Sequence, residues 1–143
     1  MEKEFIPYEQ ALSLKELGFD EPCLGYWRNE DLPKPLTLGQ YTTKEDMEYE
    51  ISGQDEYHNF KNIISLAPTF SQAFRWFREK YNIDSMIQPT YSTKYQYRMF
   101  HIEGKAKVQI YGEYMGKEFK TYEEAELECL KKLIEIINKK QVI

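Results

Sequence analysis

The 143-residue chain contains only two cysteines, two histidines and two valines, and no apolar run is longer than a pair such as Ile63 and Ile64 or Ile136 and Ile137. A helix that crosses a bilayer needs ~18 or more consecutive apolar residues, so no membrane partner is expected. Residues 1 to 10 mix acids, one lysine and apolar side chains, without the basic start and ~7–15 apolar residues of a secretory signal. A cytoplasmic setting is expected. Cys23 and Cys129 stand 106 positions apart, which makes neither a disulfide framework nor a C-x-x-C pair and fits a reducing compartment.

Chemistry-bearing motifs are equally scarce. The seven glycines nowhere form a P-loop or a G-x-G-x-x-G turn, and G-x-S-x-G, H-E-x-x-H and EF-hand patterns are absent. A zinc site needs about four ligands with local spacing, and Cys23, His58, His101 and Cys129 are scattered one by one. Cys129 falls on an apolar helical stripe. Cys23 has Asp20 and Glu21 beside it, which disfavour a thiolate. The expectation is therefore a protein without metal or cofactor, and not an enzyme.

What the chain does have is apolar bulk and rings. Leu, Ile, Val and Phe make up 33 of the 143 residues, above the ~20% level below which a charged chain tends to stay disordered. Aromatic residues are 15% of the total, and 12 of them are tyrosine. Tyrosine and tryptophan suit core edges and binding faces. The length fits one globular domain spanning residues 1–143. The net charge of −5 hides an asymmetry: residues 1–60 carry 5 basic and 14 acidic side chains, residues 61–143 carry 14 and 10.

Three segments carry helix signals. Tyr8 to Leu17 opens after Pro7 and stops at Gly18, with Phe19 placed to fold back on the last turn. Phe70 to Tyr81 follows Pro68 and a T-x-x-Q capping box, and Phe70, Ala73, Phe74, Phe77 and Tyr81 share one face, with Trp76 at its boundary. Tyr122 to Asn138 starts with a T-x-x-E box and has a stripe from Ala125 through Cys129, Leu130, Leu133, Ile134 and Ile137.

Period-two patterning marks strands at Leu24 to Arg28, Leu36 to Tyr41, Ile83 to Gln88, Tyr95 to Glu103, Lys107 to Tyr111 and Lys117 to Lys120, with Gly104 at a hairpin turn. Residues 29–35 read as a turn and the acidic 41–60 segment as loop-rich. The expected fold is α+β, a single domain with an antiparallel sheet packed against two or three helices. Its core would join Phe70, Phe74, Phe77, Leu130, Leu133 and Ile137 to Tyr97, Phe100, Ile102, Val108 and Ile110.

Three constellations remain as candidate sites. Tyr26 and Trp27 next to Arg28, together with Arg75, Trp76 and Arg78, are of the residue types that anchor protein interfaces. Arg75, Arg78, Lys80, Lys94, Arg98, Lys105 and Lys107 are interleaved with Trp76, Tyr81, Tyr91, Tyr95 and Tyr97, a mixture suited to single-stranded nucleic acid, and residues 61–120 hold 10 basic against 5 acidic groups. Asp84 with Glu103-Gly104-Lys105 has the acid and E-x-K composition of a metal-dependent nuclease. The order helix, strands, helix also outlines a double-stranded-RNA-binding domain, but Glu123, Glu124 and Glu126 stand where that domain has phosphate-gripping lysines.

Three blocks, F5-I-P-Y-E-Q-A-L-S-L-K-E-L-G-F-D-E-P-C23, A67-P-T-F-S-Q-A-F-R-W-F-R-E-K-Y81 and T121-Y-E-E-A-E-L-E-C-L-K-K-L-I-E-I-I137, coincide with the three helices. In these blocks, about a third of the chain, it resembles a group of small uncharacterised phage and prophage proteins of Bacteroides-type bacteria. The resemblance implies a mobile-element origin and a host cytoplasm, and no reaction or site residue. Together with the missing catalytic set it leads to the expectation of a non-enzymatic accessory or regulatory protein that binds a host or phage protein. Nucleic-acid recognition by residues 61–120 is the first alternative and the nuclease the second.

Overall fold

A computed structural model describes residues 2–28, 36–42 and 63–141. The turn expected at 29–35, the acidic loop from residue 43 onward and His58 lie outside the described residues. Two compact units divide the chain, Met1–Thr69 and Phe70–Ile143. The class is α+β, as expected, and among the described residues every strand pairing is antiparallel. The described strands do not share one sheet, however; they form two sheets of three.

In the first unit, a short 3-10 turn at Glu2–Glu4 leads to α1 (Tyr8–Glu16), and β1 (Cys23–Arg28) is the middle strand between β2 (Leu36–Thr42) and β3 (Ile63–Leu66). Gly18, at φ 97°, takes the left-handed turn that ends α1. Its N–H donates to Lys15 O at 3.0 Å and that of Phe19 to Leu14 O at 2.9 Å, so two orphan carbonyls are satisfied. Leu14 and Phe19, at the two ends of the second bond, are both buried and help close the unit's core with Ile6, Ala11, Leu17, Cys23, Tyr26 and Leu66. Strand β3 carries little pattern of its own. It is held by pairing with β1 and by the buried Ser65, whose hydroxyl donates to Ala11 O on α1 at 3.2 Å.

The second unit runs α2 (Phe70–Tyr81), a meander of β4 (Ile83–Pro89), β5 (Tyr95–Glu103) and β6 (Ala106–Gln109), then α3 (Tyr122–Gln141). Asn82, at φ 57°, stops α2 and turns the chain directly into β4. Gly104, at φ 61°, makes the two-residue turn into β6. The capping box of α3 is formed with one shift: Thr121 Oγ1 accepts from Glu124 N–H at 3.1 Å, while the Glu124 carboxylate accepts from Lys120 N–H at 3.2 Å. Lys117 to Lys120 is not a strand but a single bridge, Phe119 to Tyr95, with two bonds of 2.8 Å.

Strand parity corrects the expected core. Tyr97 and Met99 are buried beneath α3, whereas Phe100 and Ile102 alternate to the other face and are half-buried, as is Ile110 beyond β6. Val108 is exposed, at 46%. On α2 the buried residues are Phe70, Ala73, Trp76 and Phe77, so the stripe is rotated toward Trp76 and Phe74 becomes half-buried. Tyr114 fills the remaining space, its ring stacked on Tyr97 with centroids 4.8 Å apart.

Candidate functional site

The rotation of α2 puts a second stripe, Ser71, Phe74, Arg75 and Arg78, on one side of the helix at the i, i+3, i+4, i+7 spacing. These four side chains form one wall of a cleft of about 570 Å³. Tyr122 and Glu126, one turn apart on the first turns of α3, form the opposite wall. Ser85, Met86 and Ile87 of β4 form the floor. Phe74, Met86, Ile87 and Tyr122 supply the apolar part of a lining that is otherwise polar, and Met86 and Tyr122 are each 44% exposed.

Charge is distributed unevenly around the cleft. Arg75 and Arg78 are exposed cations. Arg78 Nη1 lies 3.7 Å from Asp84 Oδ1, and Lys107 Nζ donates to Asp84 Oδ2 at 2.7 Å. Burial opposes ionisation of Asp84, but the Lys107 hydrogen bond and charge, the Ser85 N–H and the Arg78 charge outweigh it and hold the carboxyl below its usual range. Glu126 behaves oppositely: burial, reinforced by the Glu123 carboxylate one turn earlier, pushes it up to about 7. Burial also raises the Tyr122 phenol, with the Glu126 and Glu123 charges adding to it. At neutral pH the cleft therefore presents guanidinium groups on one wall and a carboxyl group near half-protonation on the other.

Of the expected interface residues, Arg75 and Arg78 meet in this cleft. Trp76 does not. It is 5% exposed, packed edge-on against Phe77 and Tyr81 at 5.1 and 5.6 Å, with Lys80 Nζ 4.8 Å from the ring centre. Tyr26 is a core residue of the first unit at 2% exposure, and Trp27 is half-buried there, its Nε1–H donating to Ile6 O at 3.3 Å. Tyr26 and Trp76 are thus covered, and Trp27 is covered in part. Burial also removes Trp76 and Tyr97 from the set of rings suited to stacking on nucleic acid, while Tyr91 is fully exposed. Tyr91 borders a hollow with Gln88, Gln96 and Arg98, where Ser92 Oγ donates to the Glu118 carboxylate at 3.0 Å.

The nuclease arrangement is not formed. Asp84 lies opposite Phe100, and Glu103 is three residues farther along β5, on the other face by strand alternation. The cations on Asp84 are Lys107 and Arg78, and not Lys105. No group of three His, Cys, Asp or Glu residues positioned to hold a metal occurs among the described residues. Cys129 is buried in α3, and burial pushes its thiol up to about 12.

Sequence reasoning named Glu126 only as a departure from the double-stranded-RNA-binding pattern and not as a cleft residue. Its signal was present: it precedes Cys129 and Leu130 by three and four positions, at the margin of the apolar stripe. Comparison with known proteins gives no further guide, because no family model, curated protein or solved structure matches this chain.

Proposed function

We propose that the protein is a non-enzymatic accessory or regulatory protein that holds an acidic segment of a partner protein in the cleft between α2, β4 and α3. The observation that supports this most is the placement of Arg75 and Arg78 beside the apolar side chains of Phe74, Met86 and Ile87. Apolar contact supplies area, and two guanidinium groups select carboxylates by paired N–H donation. A phage or prophage role in a bacterial cytoplasm, with a host or phage protein as partner, belongs to the same proposal and rests on the three helical blocks.

The test compares proteins captured from host lysate by the wild-type chain, by the charge reversal Arg75→Glu/Arg78→Glu, and by Lys131→Glu as a control on exposed α3 surface. A partner retained by the wild type and the control but lost by the double variant is the expected result. Equal capture by all three would overturn it. Single-stranded DNA titrated at two salt concentrations covers the nucleic-acid alternative, whose phosphate contacts weaken steeply with salt. Salt-sensitive DNA binding that survives the double reversal would replace a protein partner with a nucleic acid.

A further inference from the structure

Strand β4 is one of the two outer strands of the β4-β5-β6 sheet, and the phase of its hydrogen bonds is set at both ends. Ile102 N–H donates to Asn82 O and Thr90 N–H to Lys94 O, each at 2.8 Å. With the register pairing Asp84, Met86 and Gln88 to Phe100, Arg98 and Gln96, the even residues exchange bonds with β5. Ile83, Ser85 and Ile87 therefore turn their N–H and C=O groups to the outer edge. Pro89 falls in the same outward phase, where its missing N–H costs no ladder bond.

The cleft opens on this edge. Ser85, Met86 and Ile87 all line it, and consecutive strand residues, whose side chains alternate between faces, can share one hollow only along the strand's side. Ser85 N–H is taken by Asp84 Oδ1 at 3.0 Å. The Ser85 carbonyl and both backbone groups of Ile87 make no backbone hydrogen bond among the described residues.

We infer that the partner segment enters as an added β-strand on the edge of β4, with alternating acidic and apolar residues. This rests on the acidic-segment function proposed above and specifies how the segment is held. Alternate strand residues stand ~6.8 Å apart on one face, close to the ~5–6 Å between Cβ atoms at i and i+3 of a helix. Carboxylates at every second position thus meet Arg75 and Arg78 in turn. The intervening side chains lie beside Met86, which is 44% exposed, and are apolar. Main-chain bonds supply affinity and the alternating pockets supply selection.

The test is fluorescence anisotropy with end-blocked, fluorescein-labelled (Val-Glu)4, its sign-reversed partner (Val-Lys)4, and two N-methylated forms of (Val-Glu)4, methylated either on every Val or on every Glu. Expected are binding of (Val-Glu)4, none of (Val-Lys)4, and a tenfold or greater loss for one methylated peptide only, the one whose blocked N–H groups face β4. Arg75→Glu/Arg78→Glu should also lose tenfold, and Ile87→Pro, which removes one outward N–H, should weaken binding while leaving the β5 ladder intact. Equal affinity of both methylated peptides and the parent would overturn strand addition while leaving the acidic-segment function standing. Undiminished binding by the double variant would overturn both. Sedimentation showing a dimer that Ile87→Pro dissociates, without peptide binding, would assign the edge to a second copy of the chain and overturn the inference.

Discussion

Lys107 on β6 reaches across the central strand β5 to place its ammonium nitrogen 2.7 Å from Asp84 Oδ2 on β4, so one ion pair ties the two outer strands of the meander together. The lysine side chain is 59% exposed, the aspartate side chain 22%, and a pair open to water on one side contributes only ~0.2–1 kcal/mol. Asp84→Asn should lower stability by about that amount in urea unfolding at pH 7. Because the folded-state carboxyl titrates below its ordinary 3.8, the contribution is present above pH 3.8 and lost as pH falls through the folded value. The difference between wild type and Asp84→Asn should vanish in strong acid.

Phe77 and Phe74 are one turn apart on α2 and separate in burial, the first fully buried and the second half-buried at the cleft. Phe77→Ala should cost ~3–5 kcal/mol. Phe74→Ala removes less buried area and should cost under ~2 kcal/mol, while weakening peptide binding. Denaturant midpoints of the two variants check the order, and a larger loss at Phe74 would contradict the observed stripe.

Glu126 carries a pH dependence of definite sign. Its carboxyl is raised from 4.5 to about 7 by burial and by Glu123, so between those values the folded state binds more protons than the unfolded. Stability from this group is full below pH 4.5 and is lost as pH rises through 7. Glu126→Gln should be more stable than the wild type at pH 8, with the gap closing toward pH 5. The titratable and charged groups around it are Glu123, Tyr122 and Cys129 on α3, and Arg75 and Arg78 on α2. Glu126, raised to about 7, changes charge between pH 6 and 8. Affinity for (Val-Glu)4 should therefore rise on acidification over that range in the wild type and stay level in Glu126→Gln.

Both thiols should be inert in the folded protein. Cys129 is fully buried with its thiol pushed up to about 12, and Cys23 is 1% exposed, its Sγ–H donating to Glu21 O at 3.3 Å. Titration with a thiol-specific disulfide reagent at pH 8 should report no fast-reacting sulfur in native protein and two in urea.

Local signals read from the residues alone located the three helices and β5 closely. Gly18 and Asn82 stop α1 and α2 because a left-handed residue costs little at glycine or asparagine. Thr121 opens α3 because its hydroxyl can satisfy a helix N–H. Strand β3 had no such mark: Ile63 and Ile64 are only an apolar pair, and what makes the segment a strand is pairing with β1, remote in the chain. Lys117 to Lys120 had strand-like residues, yet its pairing is a single bridge from Phe119 to Tyr95.

The candidate site divides in the same way. Arg75 and Arg78 were legible as exposed cations of an amphipathic helix, since helical period is a local property. Their joining with Met86, Ile87, Tyr122 and Glu126 was not, because it depends on how far α2 is rotated about its axis, and that is set by which rings fit beneath it. Trp76 took the buried position and Phe74 moved to the cleft. Composition and periodicity thus determined the class, the helices and the charges of this protein. Tertiary packing alone decided which strands lie at the ends of the described sheet, and which two arginines stand beside β4.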